Sequence, residues 1–336
     1  SGPEHVPESL LKQGSRTYRL DPRDRDGSNS DTNIRCLVPR FVTAFRVDSG
    51  GFFSLKNMKL YQEVSLLSAK SKKRRTILDL QAMKARGEKI AVLTAYDYPF
   101  ARIMDQAGID VILVGDSVGA VVAGYENTLP VTMQDMIYHT SAVARSAVKS
   151  LIVADMPFLS YQVDLAEARR NAGRLIKQGG AHAVKLEGGV RIAETIRAIV
   201  AMDIPVVGHV GLTPQSVHRM GGYRVQGREQ ARADQLLADA RSVADAGACA
   251  IVLEGIPAKL AAEISAELTI PTIGIGAGVD CDGQVLVIHD ILGLCEKYSP
   301  KFVKRYADVS GTIRQGIDDY ISEVKNGSFP GPEHSF

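Results

Sequence analysis

Four carboxylates stand at the same place in four similar runs. Asp116 follows VILVG, Asp155 follows LIVA, Glu187 follows AVKL and Glu254 follows AIVL. Most of these runs are short and apolar without polar alternation, which is how a strand buried on both faces of a parallel sheet reads. One carboxylate where such a strand surfaces is a weak signal. Four at equivalent ends, brought together, repel one another and lose hydration. Something positive has to compensate. Lys185 lies two residues before Glu187, so on a strand both point to one side, with Ala183 behind them. One lysine does not neutralise four acids, and two arrangements stay open: a salt-bridge network around Lys185 without a metal, or a hard divalent cation. Mg²⁺ suits the second, since one or two carboxylates hold it together with water and substrate oxygens. No Cys or His cluster has the spacing of a zinc site.

That set suits chemistry on a 2-oxo acid. A cation can chelate the carboxylate and the keto oxygen and stabilise, as a Lewis acid, the enolate left when a proton departs beside the ketone. A carboxylate outside the metal shell can take that proton. A Schiff base on Lys185 is the other way to stabilise such a carbanion. Further polar groups close the remaining runs: Ser117 beside Asp116, Asp97, His209, and His289 with Asp290. His209, in GHVGLTPQS, reads equally as a hydrogen-bonded core histidine or as a support behind the acids. GIGAGVDCDG (274–283) resembles a glycine phosphate loop where barrels often bind phosphate. It has no P-loop lysine and no following Ser or Thr, and tight turns explain it equally well.

Eight apolar runs would position these groups: 89–96, 110–117, 150–157, 181–188, 204–211, 248–255, 270–278 and 284–290. Helical patterning separates most of them. In NAGRLIKQGG (171–180), Ala172, Leu175 and Ile176 share a face and the glycines end the helix. Strand then helix, repeated, predicts an α/β protein with a (β/α)8 TIM barrel, whose active site lies at the C-terminal strand ends. Only the gap between the seventh and eighth runs is too short for a full helix. Thr76 can cap a helix reaching about Arg86, with Ile77, Leu78, Leu80 and Met83 as its apolar side.

Residues 1–57 mix charges with Ser, Gly and Asn and show no sustained periodicity, so they are expected to form a disordered extension. Residues 58–88 then make a linker and the N-terminal helix, and 89–336 the catalytic barrel. The 336-residue chain carries a formal net charge of +2, too balanced to suggest a nucleic-acid or membrane partner. Its four cysteines show no CxxC spacing, which favours free thiols in a reduced compartment. No apolar stretch approaches the roughly 20 residues of a membrane span, and no apolar signal region follows the N-terminus.

Taken in order, TAYDYPFAR (94–102), LVGDSVG (113–119), LPVTMQDM (129–136), ADMPFLSY (154–161), VKLEGG (184–189), GHVGLTPQSV (208–217), GGYRVQGR (221–228), IPTIGIGAG (270–278) and CDGQVLV (281–287) closely resemble ketopantoate hydroxymethyltransferase. The tail, FVKRYADV (302–309) and FPGPEHSF (329–336), resembles actinobacterial members. The resemblance runs from about residue 74 to the end. It implies a barrel of the phosphoenolpyruvate/pyruvate-like superfamily that converts 3-methyl-2-oxobutanoate, 5,10-methylenetetrahydrofolate and water to 2-dehydropantoate and tetrahydrofolate, in pantothenate and coenzyme A biosynthesis. It further implies Mg²⁺ as cofactor on Asp116, Asp155 and Glu187. Asp116, Ser117, Asp155 and Lys185 would hold the oxo acid and Glu254 would accept the proton. It also implies a cytoplasmic homodecamer. Two other readings remain: another Mg²⁺-dependent enolate lyase or mutase on this barrel, such as an isocitrate-lyase-like or phosphonomutase-like enzyme, or a catalytically silent barrel acting in assembly. The lyases favour a loop cysteine motif that Cys249, Cys281 and Cys295 do not form, and a silent barrel would have lost a strand-end acid.

Overall fold

A computed structural model describes residues 33–38, 41–46, 74–295 and 300–336. The chain divides into two units, 1–71 and 72–336. In the first, Asn33–Val38 pairs antiparallel with Phe41–Arg46, Asn33 standing opposite Arg46 and Val38 opposite Phe41. Both runs (NIRCLV, FVTAFR) are rich in β-branched and aromatic residues, a strand composition that averaging over charged neighbours conceals. The rest of the expected extension, and the linker before residue 74, lie outside the described residues.

The second unit is built on eight parallel strands: β1 (Ile90–Thr94), β2 (Val111–Val114), β3 (Leu151–Asp155), β4 (Ala183–Glu187), β5 (Val206–Gly211), β6 (Ala250–Glu254), β7 (Thr272–Ile275) and β8 (Gly283–Leu286). Each pairs with the next, and β8 pairs with β1 to close the barrel. Seven lie within the expected apolar runs, and β8 begins one residue before its run. Helices α1 (Ile77–Ala85), α2 (Tyr98–Ala107), α3 (Met133–Ala144), α4 (Leu165–Arg174), α5 (Ala193–Val200), α6 (Gln230–Asp245), α7 (Ala258–Glu267) and α8 (Val309–Asn326) account for the longer helical stretches. As expected, no helix separates β7 from β8. Among the described residues no helix is long and apolar enough to cross a membrane.

Strand residues alternate between two cores, because successive side chains leave a strand on opposite sides. Ile152, Val184, Leu186, Ile251 and Leu253 face outward and pack with helix residues Met136, Ile196, Ile199, Val243 and Ile264. Ile90, Val92, Val111, Leu151, Val153, Ala183, Val207 and Val252 fill the barrel interior. Helix α1 belongs to that inner core. Thr76 and Asp79 form a capping box at its start, and Leu80 and Met83, one turn apart, join the inner cluster. Leu78, expected on the same side, is 68% exposed; two residues from Leu80 it falls on the opposite face. The helix expected through 171–180 is α-helical only to Arg174 and widens into a π turn over Leu175–Gly179. Gly180, at φ 78°, stops it. A Cβ there would lie 2.9 Å from that of Ala144, so glycine serves both the left-handed turn and the close approach.

Candidate active site at the C-terminal barrel mouth

The inward rows of four strands change character along their length. Val153 is followed two residues on by Asp155, Ala183 by Lys185 and then Glu187, Val207 by His209, and Val252 by Glu254. Apolar groups sit at the N-terminal end of each row and ionisable ones at the C-terminal end. Strand register then sets the neighbours: Asp155 opposite Lys185, Glu187 opposite His209, and Gly211 opposite Glu254. Asp116 arrives from the turn after β2, where its backbone N–H donates to Asp155 Oδ2 at 3.0 Å. A Cβ at Gly115 would stand 2.6 Å from Ser117 Oγ, so glycine leaves that hydroxyl its place.

The groups are close and dry. Lys185 Nζ lies 3.2 Å from Asp155 Oδ1 and 3.8 Å from Glu187 Oε1. It also lies 3.2 Å from His209 Nδ1. His209 bridges two acids, with Nδ1 3.4 Å from Glu187 Oε1 and Nε2 3.2 Å from Glu254 Oε2. The contacts at Asp155 Oδ1 and His209 Nε2 lack hydrogen-bond alignment, so both atoms are buried without a hydrogen-bond partner. The side chains of Asp155, Lys185, Glu187 and His209 are at most 5% exposed, and that of Glu254 is 15% exposed.

The charges follow from this packing. Burial works against an ammonium at Lys185, yet Asp155, Glu187 and Asp116 outweigh it and hold the pKa above the ordinary lysine value. Burial and Lys185 oppose a charge on His209, but Glu187 and Glu254 on either side raise it to about 9. Glu187 is held below its ordinary value despite burial, by His209, Lys185 and the Gln215 N–H. Asp155 is raised by burial against the pull of Lys185. Asp116 is pushed well above the carboxylate range by burial and then by the Asp155 and Glu187 charges. The cluster therefore sets four carboxyls against two cations, Lys185 and His209, and burial pushes both Asp116 and Asp155 upward.

That surplus is what a hard cation fits. Asp116 and Asp155 adjoin each other, and Asp155 Oδ1 has no hydrogen-bond partner. Among the described residues no three His, Cys, Asp or Glu side chains converge into a complete metal cage. Mg²⁺ does not need one, because it keeps waters and substrate oxygens in its shell. Glu187 stands beside this pair with Oε2 accepting from Gln215 N at 3.0 Å.

Three neutral groups that the sequence did not single out organise the site, two of them around the acids and one at Ser117. Gln215 Nε2 donates to Asp116 Oδ2 at 2.8 Å and to Met156 O at 3.0 Å. Tyr161 Oη donates to Gln215 Oε1 at 2.8 Å and accepts from Glu187 N at 3.0 Å. Tyr96 Oη lies 2.9 Å from Ser117 Oγ. All three lie inside the family-like motifs, which was their one signal in the sequence.

Other expected strand-end groups are used differently. Asp97 caps α2 by accepting from Phe100 N at 2.9 Å. The His289 ring packs 5.5 Å from Tyr96 and 5.8 Å from Phe100, outside the acid cluster. In the glycine loop, Lys89 Nζ binds the Val279 and Cys281 carbonyls and Gln284 Nε2 binds Gly278 O. These contacts favour the tight-turn reading. Next to Glu187 and Gln215 a cavity of about 1190 Å³ opens, lined also by Phe158, Tyr161, Arg191, Arg219 and Arg232.

The family model described as ketopantoate hydroxymethyltransferase matches residues 74–332. The chain belongs to this family. A 3-methyl-2-oxobutanoate hydroxymethyltransferase from Syntrophotalea carbinolica is 73% identical over 264 residues, covering 79% of this chain and 99% of the relative. One from Geobacter sulfurreducens is 70% identical over 262 residues, covering 78% and 98%. Among solved structures, a phosphoenolpyruvate phosphomutase from Streptomyces platensis aligns with TM-score 0.52 at 16% identity, over 75% of this chain and 88% of that one. A phosphonopyruvate hydrolase aligns with TM-score 0.51 at 12% identity, over 77% and 93%. At such identities these two speak for the barrel fold alone. The family read from the motifs is borne out, a hydroxymethyltransferase of the pantothenate pathway, and the lyase and mutase rivals share only its architecture.

Proposed function

We propose that this chain moves the one-carbon unit of 5,10-methylenetetrahydrofolate, with water, onto C3 of 3-methyl-2-oxobutanoate, giving 2-dehydropantoate and releasing tetrahydrofolate. The observation that carries the site assignment is the pair of buried carboxylates, Asp116 and Asp155, with more negative charge around it than Lys185 and His209 balance. Asp116 and Asp155 would hold Mg²⁺, with Glu187 beside them, and the ion would supply polarisation of the keto oxygen. Lys185, kept as an ammonium, and the Ser117 hydroxyl, oriented by Tyr96, would bind the oxo-acid carboxylate. A lysine held charged is no amine nucleophile, which weighs against the Schiff-base route. Glu254 would take the C3 proton. His209, whose pKa is raised to about 9, has Nε2 3.2 Å from Glu254 Oε2 and would help to place that carboxylate. Burial of the whole group keeps bulk water from the developing charge. The exposed apolar row Ile313, Ile317, Tyr320, Ile321 and Val324 on α8, each 41–57% exposed, supports a homo-oligomer.

The test has two parts. Protein mixed with 3-methyl-2-oxobutanoate, methylenetetrahydrofolate and Mg²⁺ should form 2-dehydropantoate. In D₂O with Mg²⁺ and no folate, NMR should show exchange of the C3 hydrogen. Glu254→Gln keeps the shape and removes the base, and a positioned base is worth roughly 10²–10⁴-fold, so exchange should fall by about that factor. Exchange at the wild-type rate would hand the role of base to Glu187 or His209.

A further inference from the structure

We propose that the cavity beside the acid cluster seats the folate co-substrate in one orientation, with its pterin end against Tyr161 and Gln215 and its glutamyl carboxylates on Arg191, Arg219 and Arg232. This rests on the function proposed above and assigns a site within it. The cavity, about 1190 Å³, exceeds the usual small-molecule range of roughly 300–1,000 Å³ and is far larger than a small branched oxo acid needs. Its walls are the loop after β3, the turn after β4, the loop after β5 and the first turns of α6.

The lining is graded from inside to outside. At the inner end Glu187, Tyr161 and Gln215 are 7% exposed or less. At the outer end Arg191, Arg219 and Arg232 are exposed, and none of the three has an ion pair or side-chain hydrogen bond among the described residues. The acid on that rim, Asp239, is occupied, accepting from Val190 N at 2.9 Å and from Gln235. Three exposed arginines lining one cavity, with no carboxylate partner of their own, attract and fix an anion, since a guanidinium matches a carboxylate in a two-pronged contact. Phe158, 40% exposed, and Met220 line the cavity as well and offer apolar faces for a flat ring.

Folate chemistry orders the ligand along this gradient. The transferable carbon bridges the pterin and the aromatic amine, so that end must approach the oxo acid beside Glu187 and Glu254. The glutamyl tail, which takes no part in the chemistry, then points outward to the arginines. Further glutamyl residues would extend the anion along the same rim, so a polyglutamyl folate should bind more tightly than the monoglutamate.

Calorimetric binding to the full chain tests this, using tetrahydrofolate, its triglutamate and tetrahydropteroate, which lacks the glutamate. Wild-type protein should prefer the triglutamate. Arg191→Ala, Arg219→Ala and Arg232→Ala should each weaken tetrahydrofolate binding about threefold to tenfold, as expected for partly exposed charged hydrogen bonds. The triple variant should lose the triglutamate preference and bind tetrahydropteroate as the wild type does. Wild-type strength for tetrahydrofolate in the triple variant overturns the assignment and leaves the proposed function standing. An equal loss for tetrahydropteroate also overturns it, because the effect would then not come from the tail. Wild-type protein that binds 3-methyl-2-oxobutanoate with Mg²⁺ but none of the three folates removes the co-substrate, and this site with it.

Discussion

At the scale of single residues, the acid excess at the barrel mouth is what a measurement can reach. Burial and then the Asp155 and Glu187 charges raise the Asp116 pKa well above its ordinary value and so disfavour its ionised form. An ion bound there would reverse that balance, and ligand binding to the folded state alone raises stability. Mg²⁺ should therefore raise the melting temperature of the wild-type protein and leave that of Asp116→Asn or Asp155→Asn nearly unmoved. In EDTA, Asp116→Asn should be at least as stable as wild type. It removes a carboxyl that its neighbours disfavour and leaves an oxygen for the Gln215 donor. Equal Mg²⁺-dependent shifts in wild type and both variants would exclude these two carboxylates as the ion's anchors.

At the scale of elements, the proposed site lies at one end of the barrel strands and contacts that only hold the fold lie at the other. His182, at the entry to β4, belongs to that second end. Its Nδ1 accepts from Ile152 N at 3.0 Å, and Nε2 lies 2.6 Å from Arg74 Nη1. Arg74 in turn donates to Ala147 O at 2.9 Å and to Val148 O at 3.2 Å, tying the lead into α1 to the approach to β3. Burial, and then the Arg74 charge, lower the His182 pKa to about 4 from the ordinary 6.5. The unfolded chain therefore binds a proton between those values that the folded chain does not. This stability is fully present above pH 6.5 and is lost as pH falls toward 4. His182→Gln should melt with a shallower decline than wild type across that window. Parallel curves would show that the imidazole stays as basic in the folded chain as in the unfolded one.

At the scale of the molecule, the two units differ in what they bring to activity. Every group of the acid cluster comes from the second unit, and the family match begins at residue 74. The closed barrel leaves no free sheet edge in need of a partner strand. Removing residues 1–57 should leave melting temperature and turnover nearly unchanged. A loss of several degrees on scanning calorimetry would mean that this segment contributes to the stability of the enzyme.

The barrel, its strand ends and the acids there were legible in the sequence because both depend on local patterns. Buried parallel strands must be apolar over their length, and a carboxylate survives only where such a strand meets the mouth. Asp116, Asp155, Lys185, Glu187 and Glu254 stand out for that reason, and the spacing of Lys185 and Glu187 placed both inside the barrel. Leu78 was misjudged because a local run of apolar residues hid which face it takes, and the strands 33–38 and 41–46 are short runs inside a stretch whose average composition is polar. What only the tertiary structure decided is how those ends meet. Gln215 reaches Asp116 across 99 residues of chain, and no periodicity encodes a contact that depends on barrel closure. The partnership of His209 with Glu187 and Glu254 likewise comes from the register of three strands, and the arginine rim from loops whose sequence carries no period. Neutral donors such as Gln215 and Tyr161 leave no charge signature to read, and a long-range hydrogen bond exists only once the chain has closed the ring that brings its ends together.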